Sequence, residues 1–182
     1  MILGITGSFG AGKGAVVEYL VKTKGFTHYS ASGFIREEIV RREMPVDRDA
    51  LTIVANDLRK EHGASYVIDS LYERARAQGG DAIIESLRAV AEVRRVKELG
   101  GFVFGVDALP EIRYERAYAR GSEKDKVSFE KWLEQEQAEI NPNDPTKQDI
   151  FAALKESSLI ISNNGSVEEL HRAVDTALAG VV

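Results

Sequence analysis

Short apolar runs at residues 2–6, 81–85, 101–106 and 158–162, with a weaker one at 26–30, alternate with longer stretches in which apolar residues recur every three to four positions. The short runs suit strands buried on both faces, and the longer period suits helices with one buried stripe. Their alternation predicts an α/β fold: a parallel five-stranded sheet covered by helices on both faces. Between the weak second run and DAIIE, roughly residues 32–78 are mostly of helical period, broken near Pro45 and Gly63. A simple crossover needs far less chain, so this stretch reads as a helical insertion over one end of the sheet. Punctuation fits the scheme: Ser32 can cap the second helix, Gly100-Gly101 can stop the helix that follows Arg88, and Pro110 suits a first helical turn. With no repeat, linker or low-complexity run, residues 1–182 read as a single domain.

The first apolar run leads directly into Gly7-Ser8-Phe9-Gly10-Ala11-Gly12-Lys13, and then into the helix-like AVVEYLVKTKG. Strand, glycine loop and helix in that order form the context of a phosphate-binding P-loop. Glycines let the backbone turn its N–H groups inward, the helix aims its positive end at the same spot, and Lys13 adds a mobile cation. The expected ligand is a nucleotide polyphosphate held by Gly7, Ser8, Phe9, Gly10, Ala11, Gly12, Lys13, Gly14 and Ala15. Gly14 stands where a Ser or Thr hydroxyl commonly helps to hold magnesium. Two readings stay open: a loop in which magnesium is held through water, or a loop that binds nucleotide without catalysis. Gly10-x-Gly12-x-x-Ala15 also fits a dinucleotide fingerprint, but THYSAS lacks the acidic residue that would hold a ribose.

Composition narrows the classes. The 182 residues are 43% hydrophobic, enough for a real core without metal or disulfide staples. The chain has no cysteine, which excludes disulfides, thiolate catalysis and a cysteine zinc site and accords with a cytoplasmic protein. No apolar stretch is long enough to cross a bilayer and no leader pattern precedes the first strand, so a soluble protein is expected. A formal net charge of −5 argues against broad nucleic-acid binding; an anionic ligand has to be met by locally focused cations.

Those cations follow the strands, where an open α/β sheet binds its ligands. Ser30-Ala-Ser-Gly-Phe-Ile-Arg36 comes after the second strand and Glu85-Ser-Leu-Arg88 after the third. Guanidinium forks bind phosphate bidentately and with fixed direction, which suits orienting one phosphate toward another. Farther on, Arg113, Arg116 and Arg120 are spaced by three and four, on one helix face, where like charges repel unless an anion lies between them. None of the three histidines has an evident partner for triad or metal chemistry, and Trp132 and Phe129 read as packing residues.

In these motifs the chain resembles the P-loop small-molecule kinases: adenylate kinase, other nucleoside monophosphate kinases and dephospho-CoA kinase. YSASGFIR keeps the serine-to-arginine spacing of the adenylate-kinase segment Ser-Thr-Gly-Asp-x-x-Arg but lacks its aspartate. ESLRAVAEV is similar to the Asp-Gly-x-Arg-x-x-x-Glu-Val pattern of dephospho-CoA-kinase-like and phage-type deoxynucleotide kinases. The resemblance implies a three-layer P-loop fold, with an acceptor-binding insertion over about residues 32–78 and a short lid over about 113–127. It implies ATP and Mg2+ as cofactors. By the same resemblance Ser30, Arg36 and Arg88 bind the acceptor, Arg116 and Arg120 act with Lys13 on the transferring phosphoryl group, Glu85 holds magnesium through water, and Asn163 and Asn164 lie near the adenine. Glu92 matches the pattern without an evident role, and Gly121 with SEKDK would let the lid flex. The acceptor segment has no carboxylate before Glu37, whereas a hydroxyl acceptor profits from a general base. The expected acceptor is therefore a small molecule already carrying phosphate, a (deoxy)nucleoside monophosphate. Dephospho-CoA-type hydroxyl phosphorylation and a switch-like NTPase with a macromolecular partner are the alternatives.

Overall fold

In the computed structural model, which describes residues 1–120, 127–137, 140 and 147–181, the five apolar runs are strands. They are β1 (Ile2–Gly7), β2 (Thr27–Ser30), β3 (Ala82–Leu87), β4 (Phe102–Asp107) and β5 (Leu159–Ser162). All pairings are parallel, in the order β2-β3-β1-β4-β5. Chain order does not reveal that arrangement, and it places β1 and its glycine loop at the centre, between β3 and β4.

Side-chain alternation along β1 builds the two faces. Leu3 and Ile5 point to a core shared with Ile83, Phe104, Val106 and Ile161, covered by α1 (Lys13–Lys24) and α9 (Val167–Ala179). On the other face Ile84, Leu87 and Val103 pack under the insertion and under α5 (Val90–Glu98). The insertion consists of α2 (Ala31–Arg41), α3 (Arg48–His62) and α4 (Tyr66–Gln78), with breaks at Pro45 and Gly63 as the sequence indicates. Asp47 caps α3 by accepting from the Ala50 N–H, and Ser166 with Glu169 forms a reciprocal box at the start of α9. Pro110 opens α6 (Pro110–Ala119); α7 (Phe129–Gln137) and α8 (Ile150–Lys155) complete the described elements.

One cap differs from expectation. Ser30, not Ser32, caps α2: its backbone is still extended and its Oγ accepts from the Gly33 N–H at 3.2 Å, while the Ser32 hydroxyl meets the Ser30 hydroxyl at 3.0 Å. Strand β2 passes into the helix without a loop, so the last strand residue takes the capping position. Among the described residues no helix is long and apolar enough to cross a membrane.

Because the strands are parallel, their carboxyl ends share one rim. Gly7, Ser30, Leu87, Asp107 and Ser162 all end there, and each leads into a segment singled out from the sequence. At β3 the register slips between Ile5 and Thr6, so that Ile5 faces Glu85 but Thr6 faces Leu87. The extra residue, Ser86, takes a left-handed φ of 73°, uncommon for a side chain other than glycine.

Candidate active site

The glycine loop is shaped by what packs against it. Gly10 (φ 79°) and Gly12 (φ 94°) are both left-handed, and a Cβ on either would collide, with the Arg113 carbonyl in one case and the Asn163 side-chain amide in the other. Gly12 is also the N-cap of α1 and has no side chain to cap the first amides of that helix, which follow the loop directly. Gly14 is different, since a Cβ there would stand in open space.

Lys13 folds back over the loop, donating to the Gly7 carbonyl at 2.7 Å and the Ser8 carbonyl at 3.0 Å. Burial lowers its pKa to about 8, helped by the positive charges of Arg88, Arg120 and Arg113 and opposed by Glu85. The sequence-predicted cations of the β3–α5 turn and the end of α6 are thus close enough to act on Lys13. A polyphosphate on the loop raises the Lys13 pKa again, so binding at pH 8 should take up about half a proton at this site, and at pH 6 none. Titration calorimetry of nucleotide binding in buffers of different ionisation enthalpy measures that uptake.

Glu85 faces this group from β3. Ser30 Oγ donates to its Oε2 at 3.3 Å, and His28 Nε2 lies 3.7 Å from the same oxygen. Burial disfavours its ionisation, but interactions with His28 and Ser86 and the charge of Lys13 outweigh this and hold the carboxyl below the usual range. His28 therefore does have an acidic neighbour, supplied by the adjacent strand. Ser30, read as an acceptor ligand, has its hydroxyl engaged by Glu85, Ser32 and the Gly33 amide. Arg36 on α2 and Arg88 both lie exposed.

The arginines of α6 divide into two kinds. Arg113 is 3% exposed and forms a bidentate pair with Glu136 of α7, so the anion expected among these cations is partly supplied by the chain itself. Arg113 also donates to the Ala108 carbonyl at 3.0 Å and the Phe9 carbonyl at 3.3 Å, and its guanidinium lies 5.1 Å from the Trp132 ring centroid. It braces the glycine loop against α6 and α7, and Trp132 is buried beside it, a packing residue as expected. Asp107 Oδ1 also lies 3.7 Å from Arg113 Nε, so Glu136→Ala leaves the buried guanidinium with one more distant carboxylate and should cost about 3 kcal/mol in urea unfolding, most of it recovered in Arg113→Met/Glu136→Leu.

Arg116 and Arg120 stay near the loop. Arg116 Nη1 donates to the Asn163 carbonyl at 2.9 Å, and the Arg120 guanidinium lies 5.3 Å from the ring centroid of Phe9, the exposed tip of the loop. Gly121 and the SEKDK run lie outside the described residues, as does most of NPNDPTKQD; its last residue, Asp149, caps α8.

Asn163 and Asn164 have structural partners. Asn163 is buried and its Nδ2 donates to the Ala11 carbonyl at 2.8 Å, so this side chain shapes the phosphate loop. Asn164 Oδ1 accepts from the Leu109 N–H at 2.7 Å and its Nδ2 donates to Ser162 Oγ at 2.9 Å. The sequence reading missed Asp107, which accepts the hydrogen bond of the fully buried Ser8 hydroxyl and whose carbonyl accepts from the Asn163 N–H at 2.7 Å. Its signal was available, since it is the polar residue that ends an apolar strand on the binding rim.

Comparison with known proteins agrees with this fold. A family model described as an AAA domain matches residues 3–142. The UPF0200 protein of Pyrobaculum aerophilum is 28% identical over 179 residues, 97% of this chain and 96% of its own. Among solved structures, TT1252 from Thermus thermophilus superposes with a TM-score of 0.64 at 23% identity, covering 100% of this chain and 98% of that one. A shikimate kinase from Bacteroides thetaiotaomicron gives 0.58 at 11% identity, with the same coverage of both chains. A dephospho-CoA kinase from Campylobacter jejuni gives 0.53 at 16% identity, covering 99% and 97%. The fold is that of the P-loop kinases.

Proposed function

This chain belongs to the AAA domain family, and we propose that it is a kinase that moves the γ-phosphoryl group of ATP to the phosphate of a nucleoside monophosphate. The observation that carries the reading is the placement of three cations on one rim: Lys13 bonded to the loop carbonyls, Arg120 at 5.3 Å from the Phe9 ring of the loop, and Arg88 just past the end of β3, the strand beside β1. Three cations on this rim call for more anionic charge than Glu85 and Asp107 supply, and two facing phosphates would supply it.

Phosphoryl transfer asks for position and charge neutralisation. The loop amides and Lys13 hold the β- and γ-phosphates; Arg88 grips the acceptor phosphate and aims one of its oxygens at the γ-phosphorus. That oxygen forms the new P–O bond, the bond between the γ-phosphorus and the bridging oxygen breaks, and its electron pair leaves with ADP. Arg116 and Arg120 neutralise charge on the equatorial oxygens. The acceptor oxygen is already anionic, so no proton has to be removed.

Hydroxyl phosphorylation of the dephospho-CoA-kinase kind would need a base. The carboxylate on this rim nearest the acceptor segment, Glu85, is held ionised at low pH, which makes it a weak base and a good anchor for metal-bound water. Glu85 would hold, through water, a magnesium ion brought by the nucleotide, and that ion would supply charge neutralisation at the phosphates. The donors fit such a metal held mainly through water, since Gly14 offers no hydroxyl. The space at Gly14 makes a gain testable: Gly14→Ser should tighten ATP binding in magnesium but not in EDTA, and should raise stability by about 0.5 kcal/mol through helix propensity. Calorimetry and thermal unfolding read the two effects.

A coupled assay of ADP release from Mg-ATP, run across ribo- and deoxyribonucleoside monophosphates, dephospho-CoA and shikimate, tests the reading. Turnover that depends on one monophosphate supports it. Turnover on a hydroxyl acceptor, or release that needs no acceptor, contradicts it.

A further inference from the structure

Glu92, the residue of the resemblance that had no role, is 3% exposed and has both carboxylate oxygens directed at defined partners. Its Oε2 accepts from the Arg88 N–H at 2.8 Å and the Ala89 N–H at 3.1 Å, and its Oε1 accepts from Arg59 Nη2 at 2.8 Å. Arg59 belongs to α3, in the insertion, and Arg88 is the arginine of the β3–α5 turn.

The rest of that turn is pinned as well. Thr6 Oγ1, one residue before the glycine loop, donates to the Leu87 carbonyl at 2.9 Å, and the Asp149 N–H donates to the Arg88 carbonyl at 3.0 Å. Ser86 holds its left-handed φ immediately before. Residues 86–89 are thus a strained turn whose backbone is clamped on every side while the Arg88 side chain projects into the open. Strain of this kind persists where surrounding contacts over-determine it.

Glu92 also caps the start of α5 through the Ala89 N–H, but the ion pair with Arg59 is not needed for that cap and adds little stability of its own. The Arg59–Glu92 pair is almost wholly buried, and Arg59 Nε has no hydrogen-bond partner among the described residues. Apolar residues can commonly replace such a pair at no loss of stability. What the pair supplies is geometry: a carboxylate accepts on both sides, so it can hold a guanidinium from the insertion and two amides of the turn at once.

We propose that Glu92 is the positioning residue for Arg88, and that the Arg59–Glu92 pair ties the insertion to the arginine that meets the acceptor. The identity of that acceptor rests on the kinase reading; the positioning does not. A glutamine at position 92 can present an acceptor to only one side. Facing Arg59 it must turn its NH2 toward the amides of residues 88 and 89, and the clamp opens. If Arg59 is also made apolar, the glutamine oxygen is free to face the amides and the clamp closes again.

The experiment compares wild type, Arg88→Ala, Glu92→Gln, Arg59→Met/Glu92→Gln and Arg59→Met/Glu92→Met. The last two bury no lone charge and differ in the acceptor atom at position 92, so the comparison survives if Glu92→Gln alone does not fold. One readout needs no acceptor: the titration of Lys13, followed by NMR of its labelled ε-carbon, reports how close the Arg88 charge lies. Displacing Arg88 moves that titration upward, whereas removing the Glu92 charge by itself could only move it downward. Arg88→Ala, Glu92→Gln and Arg59→Met/Glu92→Met should all shift it upward, and Arg59→Met/Glu92→Gln should match wild type. The second readout is kcat/KM for the acceptor identified in the ADP-release assay. Glu92→Gln should lower it on the order of tenfold to a hundredfold, leave the KM for ATP unchanged, and have no further effect in an Arg88→Ala background. A Lys13 titration unmoved in both Glu92→Gln and Arg59→Met/Glu92→Met overturns the positioning role whatever the kinetics show. If the shifts are as expected and no acceptor is turned over, the kinase reading falls and the positioning role stands.

Discussion

Lys13→Ala is expected to lower transfer by about a thousandfold and leave a folded protein. The loss is large because the ammonium sits at the mouth of the glycine loop, where it would follow the γ-phosphoryl group as negative charge spreads over the oxygens. In the free protein that ammonium is bonded to the Gly7 and Ser8 carbonyls, both part of the loop it serves. The fold should survive for an electrostatic reason. A lysine whose pKa falls to about 8 on folding costs stability at every pH below that value, and the cost fades as pH rises from 8 toward 10.5. Removing the side chain removes this penalty, so the melting temperature at pH 7 should be no lower than that of wild type. Its rise between pH 8 and 10.5 should be smaller in the variant. Thermal unfolding across that pH range, beside a turnover assay, checks both halves.

Arg88→Ala is expected to act on the acceptor. Loss of a bidentate, charge-assisted contact should lower kcat/KM for the acceptor on the order of a hundredfold. ATP affinity should change by much less, because the loop amides and Lys13 hold the triphosphate. The Lys13 titration should move upward, since Arg88 is the charge that depresses it most. An Arg88→Lys variant separates charge from fork: it should restore much of the Lys13 shift and little of the acceptor efficiency. Equal damage to ATP and acceptor efficiency would place Arg88 on the nucleotide instead.

The parts of this molecule legible in the sequence are those fixed by neighbours along the chain. Strand positions, the glycine loop and the three-helix insertion follow from periodicity and from Pro45 and Gly63, and the structure has them within a residue or two. The same locality explains the misplaced cap: Ser30 and Ser32 are both capping residues, and only the point at which β2 stops being extended decides between them. What sequence could not disclose depends on the sheet order. Ser8 reaches Asp107 because β4 lies beside β1, and Glu85 meets His28 because β3 lies beside β2. The arginines of α6 shared a spacing but not a fate. Arg113 turns inward to Glu136, twenty-three residues on, while Arg116 and Arg120 stay with the loop. A helical period shows which residues share a face, not which of them meets a buried acid. Asn163 shows the same limit, as its amide is taken by Ala11 at the far end of the chain.

The most direct measurement is the fate of a radiolabelled γ-phosphate when the protein is incubated with Mg-ATP and an equimolar mixture of nucleoside monophosphates. Label is expected in the β-phosphate of a nucleoside diphosphate, lost in Lys13→Ala and strongly reduced in Arg88→Ala. Label appearing only as orthophosphate, or remaining on ATP in the presence of every monophosphate, would contradict the kinase reading.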